Sequence, residues 1–364
     1  MSTLESINLG IVGIRRGAFA FAPVEGMRLH AVCDTHAEKL DAVTATHPRV
    51  ERWTDFDEML QSSSLDAVLI ATPMPLHASQ SIAALWRGLH VLSEVPAAVS
   101  IDECRQLVQA CHQSRGLYMM AENVNYFRSV RVITEMVRRG VFGETYFAEG
   151  EYLHPLHELF TATPWRRQWQ VGINGITYGT HSLGPLLAWM PGDRVTSVTC
   201  AGSGHRHVDA SGKPFEMEAS CVMLAKTARG SLIKIRQDFI SSRPGAHKFA
   251  LQGTDGAFET DNIEASSRIW LRSRSHGLQW MPLADLEDEY LPDAWKRHSI
   301  RAADTGHGGS DYMQLVDFAE AIQHGRPSPI GIHEAMDMTV PGLCSQISIA
   351  QGMRWVDVPD SRNW

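Results

Sequence analysis

Short apolar runs alternate with helix-patterned stretches through the first third of this 364-residue chain. Ile7–Val12 (INLGIV), Arg28–Cys33 (RLHAVC), Arg49–Trp53, Ala67–Ala71 (AVLIA), His90–Leu92 and Tyr118–Ala121 read as strands. Helices are expected at Ala37–Ala45, Asp55–Gln61, His77–Arg87 and Ser100–Ser114. Strands alternating with helices in this way build a parallel sheet with helices on both faces. Ligands of such sheets bind beyond the carboxyl ends of the strands. Gly13, Asp34, Thr72, Glu94 and Glu122 all stand at those ends.

The turn after the first strand bears on which ligand that is. A dinucleotide fingerprint asks for Gly-x-Gly-x-x-Gly there, with an acidic residue about 20 positions on. The register here is Gly13, Arg15, Ala18, followed by Asp34 at the end of the second strand. Ala is an accepted third member, but an arginine occupies the second glycine position. Arg15 or Arg16 could reach over the phosphates with a guanidinium, or crowd them. Asp34 would accept hydrogen bonds from a ribose 2′-hydroxyl and repel a 2′-phosphate, which favours NAD over NADP.

Beyond Tyr126 the pattern changes. A helix at Val130–Arg139 precedes a strand at Thr145–His154, and a long irregular stretch follows with Trp165, Arg166, Arg167 and Trp169. Strand-like runs recur at Val195–Cys200, Ala219–Leu224, Ser231–Phe239, Lys248–Gln252 and Arg268–Leu271, with a tight turn at Gly253–Gly256. Such a succession indicates an antiparallel sheet. Asp285–Thr305 is charged and reads as a surface excursion, and Ser310–Gly325 and His333–Gln351 as closing helices. The expectation is two domains, 1–123 and 124–364, with the last helix returning to the first.

A net charge of −8 argues against a general nucleic-acid binder, and no apolar run approaches the roughly 18 residues of a membrane span. The start, MSTLESINLGIVG, lacks the basic-then-apolar layout of a signal peptide, so a cytoplasmic protein is expected. The six cysteines are scattered without a C-x-x-C pair, which suggests neither disulfides nor zinc.

In Gly175-Ile-Thr-Tyr-Gly-Thr-His-Ser-Leu-Gly-Pro185, Tyr178 and His181 sit three apart, just before the apolar run Leu183–Met190. If that run is a helix, both rings leave one face of its first turn or lead-in. They could handle the protons of a sugar hydroxyl, or they could be packing rings at a helix entry. Arg166 and Arg167, with His154 and His157 upstream, form the best local cationic group. Guanidinium forks suit sulfonate, phosphate or carboxylate, although a solvated surface pair is the more common arrangement.

The Gly13 turn, Thr72-Pro73 with His77, Gly88-Leu-His-Val-Leu-Ser-Glu-Val-Pro96, Glu122-Asn123 and His181 together resemble the Gfo/Idh/MocA oxidoreductase family over nearly the whole chain. The resemblance implies an α/β fold: an N-terminal Rossmann parallel sheet plus a C-terminal α/β domain with an open, mostly antiparallel sheet that often forms oligomer contacts. Two positions depart from the family's sugar dehydrogenases. Val95 stands where they carry a lysine that contacts the reacting hydroxyl, and Thr177 stands where they carry an aspartate four residues before the histidine. The same departures resemble the family's glycosidase branch, the NAD-dependent retaining glycosidases first known as α-N-acetylgalactosaminidases. The matching segments are Glu94–Ala98, Glu122–Tyr126, Gly140–Glu144, Glu149–His154, Tyr178–Pro185 and Gly306–Tyr312. NAD-dependent sulfoquinovosidases are similar to that branch, so an anionic sugar is one substrate class to consider.

That resemblance implies a redox-neutral cleavage. C3 of the sugar is oxidised by bound NAD, the C2 proton is removed, the aglycone leaves from C1, water adds, and C3 is reduced again. His181 becomes the candidate for the C3-hydroxyl proton and Tyr178 for the C2 proton. Tyr152 and Glu122 match branch positions at the active site. Tyr152 could equally be a plain strand residue, and Glu122 could bind the nicotinamide ribose. Cofactor contacts are expected from Gly13, Arg15, Arg16, Ala18, Asp34, Thr72, Pro73, His77, Glu94, Val95, Pro96 and Asn123. Substrate contacts are expected from His154, Arg166, Arg167 and His307. No metal is implied, and a homo-oligomer, dimer or tetramer, is. A sugar or inositol dehydrogenase and a non-catalytic NAD-binding regulator stand as alternatives.

Overall fold

The structure is a computed structural model that describes residues 6–156, 159–160, 163–263 and 266–364. Its contacts group the chain into two units. The first takes the residues up to Asn123 with Ser299–Met336 and Ser361–Trp364; the second takes Val124–His298 and Asp337–Asp360.

In the first unit β1 (Ile7–Val12), β2 (Met27–Cys33), β3 (Glu51–Trp53), β4 (Ala67–Ile70), β5 (His90–Ser93) and β6 (Tyr118–Met120) form one parallel sheet. Its order is β3-β2-β1-β4-β5-β6, so the winding reverses between β1 and β4. Ile7, Leu9 and Ile11, with all of β4, are buried, as strands covered on both faces must be. Capping side chains fix where two flanking helices begin. Asp55 accepts from the Glu58 N–H to start Phe56–Ser62, and Ser100 accepts from the Glu103 N–H to start Ile101–Gln113.

The second unit holds a nine-stranded sheet. Its strands are β7 (Thr145–Leu153), β8 (Val195–Gly202), β9 (Cys221–Thr227), β10 (Leu232–Asp238), β11 (Ala246–Gly253), β12 (Gly256–Asn262), β13 (Ser266–Leu271), β14 (Met281–Pro282) and β15 (Val356–Asp357). Across it the order is β14-β13-β12-β11-β7-β10-β9-β8-β15. Every neighbouring pair is antiparallel except β7 with β10, so the sheet is mostly antiparallel. Period-two alternation buries Ala148, Phe249, Leu251 and Phe258 on one face. The helix Thr180–Ala188 covers that face over β7, with fully buried Trp189 set edge-on to Phe249 and Phe258 at 5.6 and 5.5 Å.

Three segments differ from the sequence expectation. The turn at Gly253–Gly256 leads into β12, a strand whose polar residues Glu259, Thr260 and Asp261 mask it. The Trp/Arg stretch contains a short helix, Pro164–Trp169, with proline at its start, where the missing N–H matters least. Asp285–Thr305 is not a surface excursion. It includes the helices Glu287–Tyr290 and Asp293–Ala303, and Tyr290, Leu291, Trp295 and Ala302 are buried behind the charges.

Removing the Trp189 ring leaves a void beneath the second sheet. Trp189→Ala should lower the unfolding free energy by about 3–5 kcal/mol in urea denaturation. A loss under about 1 kcal/mol would show that this ring is not a keystone of the second unit.

Candidate active site

The strand ends of the first unit are built for a nucleotide. Gly13 has φ 87°, and a Cβ there would lie 2.5 Å from the Ala71 carbonyl oxygen, so no larger residue fits. This brings the turns after β1 and β4 together at the point where the winding reverses, which is where such sheets take ligands. The third fingerprint role, close packing of helix on strand, falls to Gly17 rather than Ala18. Gly17 is buried, and a Cβ on it would meet Ile11 Cγ2 at 2.5 Å, whereas Ala18 is exposed. Asp34 stands at the end of β2 with its carboxylate accepting from the Ile14 and His36 N–H groups, both at 3.0 Å, and from Lys39 Nζ at 3.2 Å. These features fit an NAD ribose and pyrophosphate.

Arg15 is exposed, and Arg16 is half-buried with its guanidinium engaged by carboxylates of its own unit. Its Nε lies 2.7 Å from Glu94, and its two terminal nitrogens grip both oxygens of Asp311 at 2.9 and 3.0 Å. Asp311 is almost wholly buried and also receives Asn123 Nδ2 at 3.1 Å and His307 Nδ1 at 2.8 Å. Burial pushes the Asp311 carboxyl upward, but the His307 and Arg16 hydrogen bonds prevail and hold it at about 2. The same bond to Asp311 raises His307 against the opposing effect of burial. Asn123, Glu94, Arg16, Asp311 and His307 are therefore one charge-compensated network within this unit.

His77 ties two strand-end loops, its ring nitrogens lying 2.9 Å from the carbonyls of Thr72 and Pro96. Burial pushes this imidazole toward its neutral form, although the two carbonyls pull the other way. Thr72 donates its hydroxyl to Gln80 at 2.6 Å, and Pro73 continues that loop. Val95 is buried in the core of the unit, and Glu122 is buried just past β6.

In the second unit the helix Thr180–Ala188 comes down onto β7 at Gly150. A Cβ there would lie 2.9 Å from Ser182 Cβ and 3.3 Å from Leu186 Cδ1. That approach assembles a ring cluster. Tyr152 is edge-on to His181 at 4.9 Å, Tyr178 is edge-on to His181 at 5.1 Å, and the two tyrosines stack at 6.3 Å. His154 lies 5.7 Å from Tyr152. Two further rings carry no signal in the sequence: Phe239 at 5.5 Å and His247 at 4.6 Å from Tyr152. His247 joins because β11 pairs it directly opposite Tyr152, a long-range register that no local pattern announces.

The lead-in to Tyr178 is pinned by hydrogen bonds. Gln237 accepts from the Tyr178 N–H at 2.9 Å and donates to Thr177 Oγ1 at 3.2 Å, while Thr177 donates to the Gln170 carbonyl at 2.8 Å. Gln170 in turn accepts from Arg166 at 2.8 Å. Arg166 also lies over the Trp165 ring, and its buried Nε meets no acceptor among the described residues. Arg167 is spent on protein groups: Asp209 at 3.1 Å, Glu216 at 2.6 Å and the Pro214 carbonyl at 2.9 Å. It does not share the free cationic role expected of the pair. His157 lies outside the described residues.

Residues 7–122 match the NAD-binding Rossmann fold of the oxidoreductase family, and residues 126–363 match the C-terminal domain of glycosyl hydrolase 109. The chain belongs to glycosyl hydrolase family 109. A family 109 protein of Saccharopolyspora erythraea is 32% identical over 98% of this chain and 83% of its own length. One from a Shewanella species is 30% identical over 98% and 85%. Solved structures share the fold at lower identity. An oxidoreductase domain protein from Kribbella flavida superposes with a TM-score of 0.80 at 19% identity, covering 97% of this chain and 99% of that one. The WlbA dehydrogenase from Bordetella pertussis, in complex with NADH and UDP-GlcNAcA, gives 0.79 at 20%, covering 99% of each. This family 109 member is thus a glycosidase on an oxidoreductase-family fold, with NAD as its cofactor.

The Asp311 network makes the first unit respond to pH at both ends. His307, raised in the folded state, adds stability that is complete below its ordinary value near 6.5 and fades as pH rises through the folded one. Asp311, depressed, adds stability that is complete above the ordinary carboxylate range and fades as pH falls through about 2. Asp311→Asn should move the NMR titration of His307 to lower pH. An unmoved titration would contradict the coupling.

Proposed function

We propose that this family 109 enzyme cleaves glycosides by transient oxidation at C3 of the sugar, with its ring cluster moving the protons. When bound, NAD supplies a reversible hydride acceptor, so no oxidant is consumed overall. His181 takes the proton of the C3 hydroxyl. With C3 a ketone, the proton on C2 becomes acidic, and Tyr178 is the group that removes it or binds the enolate. The aglycone then leaves from C1, water adds, and His181 returns its proton as C3 is reduced. A phenol titrates near 10 in water and needs a neighbouring cation or hydrogen-bond donor to act at neutral pH. Tyr152, edge-on to His181 and stacked with Tyr178, belongs to the same proton-handling set. Glu122 and Asn123 are the strand-end groups proposed to orient the nicotinamide ribose.

The observation that carries this reading is the ring cluster of the second unit, in a chain whose lysine position is held by a valine, Val95, buried in the first. A buried valine can neither donate nor accept the proton that a sugar dehydrogenase passes to its lysine, so the imidazole and phenols must do that work. Thr177 gives no carboxylate either, since its hydroxyl is engaged with Gln170 and Gln237.

An anionic sugar such as a sulfoquinovoside is the proposed substrate class. Its support is Arg166, whose buried Nε meets no acceptor among the described residues and whose guanidinium is held over Trp165 beside Gln170. Arg167 has Nε and both terminal nitrogens engaged with Asp209, Glu216 and the Pro214 carbonyl and contributes mainly field, and His154 and His307 are the remaining candidates for sugar hydroxyls.

With aryl glycosides, aglycone should appear without net NADH. NADH rising in step with substrate consumed would instead make the protein a dehydrogenase. Arg166→Gln should weaken a sulfonated glycoside by about 1.5–3 kcal/mol, roughly tenfold or more in kcat/KM, and leave its neutral counterpart nearly unchanged. Equal losses on both would remove the anionic assignment.

The outward face of the second sheet supports a homo-oligomer. Rows of charge alternate in sign across it and are already paired in plane, Lys234 with Glu149 at 3.1 Å and Arg268 with Glu259 at 2.6 Å. A groove of about 520 Å³ runs between Glu149, Lys248, Glu259, Arg268 and Trp280. Such a face can meet a second copy of itself about a two-fold axis. Light scattering on the purified protein should give a dimer or tetramer, and a monomer at micromolar concentration would exclude it.

A further inference from the structure

We propose that His247 is a positioning residue for the Tyr152 phenol: it fixes the ring and supplies the imidazolium that lets the phenol give up its proton. The inference rests on the reading that Tyr152 belongs to the proton-handling set, and goes beyond it by naming what activates that group.

Register comes first. In the antiparallel pairing of β11 with β7, His247 stands directly opposite Tyr152, so both side chains leave the same face of the sheet. Their ring centroids are 4.6 Å apart at 64°, the shortest of the imidazole distances to Tyr152. The Phe127 ring stacks on His247 at 5.9 Å and 16°. The imidazole is therefore held between an aromatic plane and the phenol, on a strand paired on both sides, with little freedom to swing away.

Charge comes second. The chain neighbour Lys248 points to the other face, into the groove with Glu149 and Glu259, so it is not the cation for this phenol. Among the described residues the titratable rings beside Tyr152 are the imidazoles His247, His181 and His154 and the Tyr178 phenol, and only the imidazoles can carry positive charge. His181 has its own proposed task at the C3 hydroxyl, 6.1 Å from His247 between centroids. His154 lies at the end of β7, with its backbone N–H bonded to the Asp238 carbonyl. An imidazole gains its charge between about pH 5 and 8, and an opposite charge a few ångströms away favours the ionised phenol. Proton balance is simple. The phenol proton passes to the neutral imidazole, which thereby becomes the imidazolium, and the phenolate so formed accepts the C2 proton released at Tyr178, stacked beside it at 6.3 Å, and later returns it by the same route.

The test uses the full-length, NAD-loaded protein with Tyr152→Phe, His247→Phe, His247→Gln and the double variant Tyr152→Phe/His247→Phe. His247→Phe keeps a flat ring against Phe127 and removes both nitrogens, while His247→Gln serves if that variant does not fold. Bound NAD per chain should match the unaltered protein. With an aryl glycoside, kcat should fall about 10- to 100-fold with KM little changed, a general acid–base share. The acid limb of the kcat profile should move to higher pH, because the phenolate loses its cationic neighbour. The double variant should be no slower than Tyr152→Phe alone, since both changes remove one device. Multiplying losses, or an acid limb that stays in place, would overturn the role of His247. Full activity in Tyr152→Phe is a different failure, because it would remove Tyr152 from the chemistry altogether.

Discussion

The ring cluster proposed to move protons depends on one close approach, that of the helix Thr180–Ala188 to β7. Gly150 permits it, because any side chain there would run into Ser182 and Leu186. Two residues along β7 on the same face stands Tyr152, and one residue before Ser182 stands His181. With backbone and helix this near, those rings must meet, and they do at 4.9 Å. Tyr178 enters from the lead-in, which Gln237 holds by its N–H while also holding Thr177. A wider spacing of helix and strand would separate the rings and leave three ordinary core aromatics.

The first unit solves a different problem. Turns at strand ends are mobile unless something fixes them, and here charge does. Arg16 is gripped by Glu94 and Asp311, from distant parts of the chain, and Asp311 also holds Asn123 and His307. Breaking one partner of a buried pair typically costs about 3–5 kcal/mol, because the other charge is left without compensation. The network therefore sets the shape of the strand-end loops, and Asp34 and Gly13, the proposed nucleotide contacts, stand on a preformed surface. An arginine in a glycine-rich turn looks like a defect in the fingerprint. The arginine at the second glycine position, Arg15, is exposed to solvent; its neighbour Arg16 links Glu94 to Asp311, and Gly17 supplies the close packing the fingerprint needs.

Much of this was legible in the chain. Buried strands in strict alternation with helices announced the parallel sheet, and the residues at their ends were Gly13, Asp34, Thr72 and Glu94. Tyr178 and His181 could be found because they flank a helix start three residues apart. What local pattern could not reveal were contacts made by long-range register or by charge. His247 meets Tyr152 only because β11 pairs with β7, and Asp311 meets Arg16 across 295 residues of chain. Arg167 read as a free cation because Asp209 and Glu216 are far along the sequence. The helices within Asp285–Thr305 were hidden because the charges on their outer faces outnumber the buried Tyr290, Leu291 and Trp295.

The central claim is that a hydride leaves C3 of the sugar and comes back to the same carbon after the glycosidic bond has broken. A glycoside deuterated at C3 and hydrolysed in ordinary water tests it directly, with the substrate protonated at C2 in a parallel run in heavy water. The account predicts a rate slowed by the C3 label, product that keeps deuterium at C3, and solvent deuterium incorporated at C2. A product with the C2 hydrogen untouched, formed at an unchanged rate, would contradict it.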